Sequence, residues 1–299
     1  MSFVSTTTEK IDVLQTSEIG QLKHVIWGAI TPFEFTLKDI PELIDVSLIH
    51  QVLHNRNRFI DIERASQQHF AFKQVLESHG VIVHEVKILG DTFSQYGPRD
   101  IGFVIDHVFI PARARRNYRQ RELVGIRPIV DRLSKVAYLD YGHLEGGDVM
   151  LHDGIVLVGL SEESDLDGVD ALRHLLHQQN IEREVIPIRF SHRGITHLDS
   201  KFNIVAPNTA LIYPPSFEPE SLKFLEQRFD FIVATREEAL DVQINVVSLG
   251  DGKVVVKSSS DRLINQLEQK GLTVIPVDYD EVTPLGGSFR CTTLPLVRQ

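Results

Sequence analysis

Asp148-Val149-Met150-Leu151-His152-Asp153-Gly154-Ile155-Val156-Leu157-Val158-Gly159 decides how this chain is read. Two apolar runs flank an Asp-Gly dipeptide, a strong short-range signal for a β-hairpin. The stretch that follows, Ser164 to Gln178, sets Leu166, Val169, Leu172, Leu175 and Leu176 at helical spacing, and a further strand is predicted from Arg183 to Phe190. The unit is therefore strand, turn, strand, helix, strand.

The same theme recurs on both sides. Towards the C-terminus, Phe202 to Val205 turns at Pro207-Asn208 and returns as Ala210 to Tyr213, with a helix near Pro219 to Gln227 and a strand at Asp230 to Val233. The next copy pairs Ile244 to Leu249 with Lys253 to Lys257 across Gly250-Asp251-Gly252, then predicts a helix over Ser260 to Lys270 and a strand from Leu272 to Val277. Gly271 stands where a helix ends best on glycine. Two looser copies lie upstream: Gly102 to Arg113 with a helix near Tyr118 to Leu133, and Leu22 to Ile30 with a helix near Ile62 to His79, closed by Gly80 and followed by Val81 to Val86.

Five such units have two readings. Either they stack around a common centre, each burying its neighbours' sheets, or they form an ordinary α/β domain rich in hairpins. No linker or low-complexity stretch divides the chain, so a single domain over residues 1–299 is expected.

Composition narrows the partners. With 42% hydrophobic and 24% charged residues the chain matches soluble globular proteins. A net charge of −10 argues against nucleic acid and suits a cationic small molecule. No apolar run has the length of a membrane span and no signal pattern opens the chain, so no membrane partner and a cytoplasmic location are expected.

Four polar clusters interrupt the apolar rhythm, each at the edge of an element: Gly97-Pro98-Arg99-Asp100, His143 to Asp148, Thr196-His197-Leu198-Asp199, and Gly286-Gly287-Ser288-Phe289-Arg290-Cys291. A repeat architecture brings all four to one end. Cys291 is the only cysteine, which excludes disulfides and multi-cysteine zinc sites and leaves a buried thiol or a nucleophile. Taken singly, each cluster is explained by turns, hairpin braces or core packing. Together they supply a chemistry. Cys291 offers a nucleophile, His197 a proton shuttle, and Glu145 a group to orient the imidazole. Asp100 and Asp199 remain as acceptor-only carboxylates, which hold a planar, forked guanidinium best. Asp148 is read as reaching the substrate, with a hairpin brace as its alternative. A substrate carboxylate calls for an arginine. Arg116 is the expected partner, drawn from a crowded stretch with Arg113, Arg115, Arg119 and Arg121, while Arg290 and Arg193 stay open as alternatives.

The clusters resemble those of the guanidino-group-modifying superfamily, which includes arginine deiminases, dimethylarginine dimethylaminohydrolases and glycine amidinotransferases. Pro98-Arg99-Asp100-Ile101 resembles the amidinotransferase motif with its guanidinium-binding aspartate, and Glu145-Gly146-Gly147-Asp148 the deiminase motif whose first acid partners the histidine. His197 to Ile204 resembles the shared His-x-Asp block, and Gly286 to Cys291 the cysteine loop. The resemblance runs in order from about residue 20 onward. It implies a five-bladed α/β propeller of pseudo-symmetric repeats and a covalent amidino-cysteine intermediate, with no cofactor and no metal. Asp199 speaks for an unsubstituted guanidinium, since methylarginine hydrolases lack that aspartate. Arg99-Asp100 speaks against the arginine dihydrolases. Glu145 and the short link from Arg132 lean to hydrolysis, whereas Pro98-Arg99-Asp100-Ile101 leans to amidino transfer. A propeller's flat faces suit a homodimer. Two rival classes stand beside this reading. A metal-dependent ureohydrolase lacks its Asp-x-His-x-Asp signature here, and a non-catalytic guanidine-binding protein has no need of the full residue set.

Overall fold

The computed structural model describes residues 9–31, 60–90, 92 and 94–299. The expected single domain over 1–299 therefore extends in part outside the described residues.

Three of the five described sheets follow the predicted unit, whereas the first pairs Leu22–Trp27 with the C-terminal strand instead of a hairpin partner and another has two strands. In chain order the elements are β1 (Leu14–Gln15), β2 (Leu22–Trp27), α1 (Ile62–Ser78), β3 (Ile82–Glu85), β4 (Gly102–Ile105), β5 (Val108–Pro111) and α2 (Asn117–Val130). They continue with β6 (Val149–His152), β7 (Ile155–Leu160), α3 (Leu166–Gln178), β8 (Glu184–Arg189), β9 (Phe202–Ala206), β10 (Thr209–Ile212), α4 (Pro219–Glu226), β11 (Asp230–Val233) and α5 (Arg236–Leu240). The last are β12 (Val247–Gly250), β13 (Lys253–Lys257), α6 (Asp261–Gln269), β14 (Thr273–Val277) and β15 (Thr293–Arg298). The described strands form five sheets: β1-β15-β2-β3, β4-β5, β6-β7-β8, β9-β10-β11 and β12-β13-β14. In the three-stranded sheets the hairpin is antiparallel and the strand after the helix pairs parallel with the hairpin's second strand.

The hairpin tip fulfils its signal. Asp153 and Gly154 adopt φ of 38° and 77°, the left-handed pair that a tight two-residue turn requires. In the β4-β5 sheet the predicted third strand shrinks to one parallel bridge, Phe109 to Val136. Its helix, α2, stops at Val130 rather than Leu133 and carries Pro128 two residues before its end.

Alternation along the strands distributes each sheet between two hydrophobic clusters, because successive side chains face opposite ways. Phe103 and Ile105 of β4 pack with Val149, Leu151, Val156 and Val158 of the β6-β7 hairpin, whereas Val104 and Phe109 pack with Ile26, Leu294 and Leu296. Met150 and Leu157 turn the other way and join Ile204, Ala210 and Ile212. Val205 and Leu211 pack with Val254 and Val256, and Val247, Leu249 and Val255 pack with Leu22 and Val25. Each such side chain, fully buried, contributes roughly 1.5–3 kcal/mol.

Candidate functional site

The polar clusters occupy one equivalent place in the topology, at or just before the first residues of a strand. A 3-10 turn over Pro98–Ile101 leads into β4, one over Gly146–Asp148 into β6, and one over Leu198–Ser200 into β9. Cys291 stands two residues before β15. Polar side chains held in these turns point where the strands begin.

The turns are wired to each other. Arg99 N donates to Cys291 O at 3.2 Å and Arg99 Nε to Arg290 O at 3.3 Å, fastening the first turn to the cysteine loop. Asn245 joins two more: its Nδ2 donates to Asp199 O at 3.2 Å, while its Oδ1 accepts from Cys291 N at 3.1 Å. Gly147 is required by closeness, since a Cβ there would lie 2.6 Å from His197 Cγ and 2.9 Å from Asp100 Oδ1. Gly287 is the same case, with a Cβ falling 3.1 Å from Cys291 Sγ.

Asp100, Glu145, His197, Asp199 and Cys291 are brought together and buried. His197 Nε2 lies 2.9 Å from Glu145 Oε2 and its Nδ1 3.5 Å from Asp100 Oδ1. Burial alone would lower the imidazole pKa, but Asp100, Glu145 and Asp148 hold it well above the ordinary value. A carboxylate thus lies near each ring nitrogen, which favours the protonated imidazole. Cys291 Sγ lies 3.8 Å from Asp199 Oδ2 and 4.0 Å from Oδ1. Burial, then Asp199 and Asp100, push the thiol well above its usual pKa, against the pull of the Ser288 amide and Arg290. Burial and the two carboxylates thus favour the thiol over the thiolate. Asp100 Oδ1 and Glu145 Oε1 are buried and accept no hydrogen bond from the described residues.

Each of the two candidate clamp carboxylates is held by an arginine of the protein itself. Arg119 Nη2 donates to Asp100 Oδ2 at 2.5 Å, with its Nη1 on Glu122 at 3.0 Å. Arg290 Nη1 donates to Asp199 Oδ2 at 2.9 Å, with its Nη2 on Glu18 at 3.2 Å. Arg119 had been grouped with a crowded basic stretch; it is 7% exposed and points inward. Glu18, Glu122 and Asn245 lie outside the sequence motifs, and only their burial in the fold marks them.

Two expectations change. Asp148 does not present its carboxylate as a clamp: Oδ1 accepts from Leu198 N at 2.8 Å, and Oδ2 accepts from the Ser161 and Ser164 hydroxyls, each at 2.6 Å. It braces the hairpin mouth, the alternative reading of its position, and burial lifts its pKa to about 7. Arg116 is outside the cluster. It forks onto Glu163, with Nε 3.0 and 3.2 Å from the two oxygens, on the wall of a cavity of about 740 Å³. That cavity is also lined by Arg115, Arg193, His192, Phe190 and the serines that hold Asp148, and it lies beside the buried cluster rather than over it.

Asp100, Glu145 and His197 each offer an atom within 4.8 Å of the others, a grouping that a metal could use. The fit is poor, because Arg119 already sits on Asp100 and Glu145 is bonded directly to the imidazolium. No described helix is long and apolar enough to cross a membrane.

A fold of hairpin-helix-strand units with a thiol, an imidazolium and acidic side chains at the strand starts defines a class, and comparison with known proteins agrees. The family model described as N,N dimethylarginine dimethylhydrolase, eukaryotic, matches residues 44–298. The chain belongs to that family, within the superfamily of guanidino-group-modifying enzymes. Among its relatives is the uncharacterized protein YkgA of Bacillus subtilis (strain 168), 32% identical over 285 residues, or 94% of each chain. An arginine deiminase of Streptococcus uberis is 23% identical over 246 residues, 70% of this chain and 59% of that protein. Among solved structures, SxtG, an amidinotransferase from Microseira wollei, superposes with a TM-score of 0.80 at 19% identity, covering 97% of this chain and 98% of the other. The N-terminal domain of ArgZ, a cyanobacterial arginine dihydrolase, does so at 0.76 with 20% identity, covering 92% and 98%.

Proposed function

We propose that the protein is a thiol-dependent hydrolase of an unsubstituted guanidinium, acting through a covalent amidino-cysteine intermediate. The observation that carries the reading is the placement of Cys291 Sγ 3.8 Å from Asp199 while His197 lies between Glu145 and Asp100. The five sheets close into a five-bladed α/β propeller on this reading. Their cyclic sharing of hydrophobic clusters, with the last sheet packing against the first through Val247, Val255, Leu22 and Val25, supports it.

The guanidinium binds with its N–H groups on Asp100 Oδ1 and Asp199. The cation neutralises the two carboxylates that hold the thiol protonated, so on binding the thiol loses its proton to solvent and the thiolate forms. Sγ attacks the guanidino carbon, His197 gives its proton to the departing amine, and an amidino thioether remains. His197, now neutral, then activates water, which displaces the thiolate and completes hydrolysis. Both clamp carboxylates need N–H donors, and a methylated nitrogen brings fewer of them. This favours an unsubstituted guanidinium despite the name that the family model carries. The body of the substrate extends into the adjoining cavity, where Arg193 faces an acidic group while Arg115 and Arg116 are held by Asp165 and Glu163.

Transfer of the amidino group to an amine is the second reading, favoured by Pro98-Arg99-Asp100-Ile101. The test is mass spectrometry of products from arginine and a panel of guanidines, with and without glycine as acceptor. Citrulline or ornithine without acceptor, lost in Cys291→Ser, is the expected result. Product only with the acceptor establishes transfer. No turnover of any guanidine overturns both.

A further inference from the structure

Glu18 lies between β1 and β2, remote in sequence from every motif, yet its carboxylate is buried at the nucleophile's end of the molecule. Its Oε2 accepts from Arg290 Nη2 at 3.2 Å, and its Oε1 accepts from Leu151 N at 3.2 Å and Gln15 Nε2 at 3.1 Å. Arg290 in turn donates Nη1 to Asp199 Oδ2 at 2.9 Å and Nη2 to Val149 O at 2.8 Å. One guanidinium is thus divided between two buried carboxylates, and only one of these faces Cys291.

We propose that Glu18 is a positioning residue that takes up part of the Arg290 charge and thereby leaves the charge of Asp199 free to act on the neighbouring thiol and to attract the substrate cation. The proposal rests on the reading of Asp199 as a substrate clamp. Without Glu18, Arg290 has Asp199 as its only carboxylate, and a clamp neutralised from behind attracts a guanidinium poorly. The charged groups around Glu18 are Arg290, Arg99 and Arg298, and those acting on Cys291 are Asp199, Asp100 and Arg290. Of these three arginines, Arg290 also holds Asp199, the carboxylate beside Cys291 Sγ, so the effect of Glu18 is routed through it. Burial, with Arg290 adding to it, pushes Arg99 down to about 9 and Arg298 to about 10, and Glu18 opposes the shift in both. Removing a carboxylate there shifts the local balance towards cation, which favours thiolate.

Because the chain has a single cysteine, alkylation by iodoacetamide reads Cys291 alone. Its rate is measured against pH for the full-length wild type, Glu18→Gln and Glu18→Asp, together with a thermal melt and steady-state kinetics on the guanidine found active. Glu18→Gln retains an acceptor for the Leu151 amide and removes only the charge. The expected result is an alkylation midpoint lowered by about one pH unit in Glu18→Gln and by less in Glu18→Asp, whose shorter carboxylate withdraws from Arg290. KM should rise about tenfold in Glu18→Gln, with a smaller change in kcat. A wild-type midpoint in folded Glu18→Gln overturns the proposal and leaves Glu18 a structural counter-ion. If Glu18→Gln does not fold, Glu18→Asp decides by the same midpoint. Failure of the guanidino reading shows separately, as absence of turnover in the wild type, and leaves the alkylation profiles intact.

Discussion

The two candidate clamp carboxylates are built alike and wired differently. Asp100 leans on Arg119, which leans on Glu122, and all three fall within one short stretch of chain with the last two a single helical turn apart. Asp199 leans on Arg290, which leans on Glu18, and these come from β15's approach, the turn before β9 and the loop before β2. The first brace is local; the second ties distant parts of the chain. Only the second also touches the nucleophile. Asp100 keeps Oδ1 without a donor, whereas both oxygens of Asp199 lie near Sγ. On the proposed function, the difference makes Asp100 the carboxylate that receives the substrate and Asp199 the one that couples its arrival to the thiol.

The largest effects should come from removing the two charges directly. Asp100→Asn and Asp199→Asn are each expected to cut kcat/KM on the active guanidine by about a thousandfold or more. Only Asp199→Asn should strongly lower the pH midpoint of Cys291 alkylation, because Asp199 is the larger of the two carboxylate contributions that raise the thiol. Equal midpoints in the two variants would erase the distinction.

The braces can be broken next. Arg119→Met strands Asp100 and Glu122, and Arg290→Met strands Asp199 and Glu18, so each should cost about 3–5 kcal/mol in urea unfolding. Arg290→Met should raise the thiol midpoint, since a cation that lowers it is gone, and Arg119→Met should leave it nearer the wild type. Asn245→Ala tests the distant wiring more gently. It removes the bridge between the Cys291 amide and the Asp199 carbonyl, for a loss of about 1–3 kcal/mol and about tenfold in kcat.

The smallest effect concerns a carboxylate that neither clamps nor touches the thiol. Asp148 has its pKa raised to about 7 by burial, against 3.8 for an exposed aspartate. The native state therefore keeps a proton that the unfolded chain has lost between these values, and stability falls as pH rises from about 4 to 7. Asp148→Asn, which can still accept from Leu198 N and donate to the serines, should flatten that slope in denaturation curves measured across the window.

Much of this was legible beforehand because it is local. Asp153-Gly154 specifies its hairpin through two left-handed residues, and Gly271, at φ 82°, ends its helix as expected. The motif residues stand in order because each belongs to a turn that starts a strand. The braces were hidden for the opposite reason. Glu18 and Arg290 are 272 positions apart, and Arg116 and Glu163 are 47 apart, so nothing in either neighbourhood announces the other. The choice between the two readings of Asp148 is not legible locally, because its three donors, Ser161, Ser164 and Leu198, arrive from two other segments. An arginine-rich stretch does not show which member turns inward, and only the fold brings Arg119 onto Asp100 and Glu122.

The sheet that bears the cysteine loop joins β15 to both β1 and β2, with Leu294 opposite Ile26 and Val297 opposite Leu14. Such pairing closes the longest loop in the molecule, and loops of that span close late in folding. The other sheets find their partners within a few dozen residues and can form early. A chain caught midway thus carries hairpins, helices and even the imidazole pair, but no assembled thiol centre. On the proposed function, catalysis thus waits for the last sheet to pair, while the bare thiol of a half-folded chain lies open to alkylation that the folded core resists.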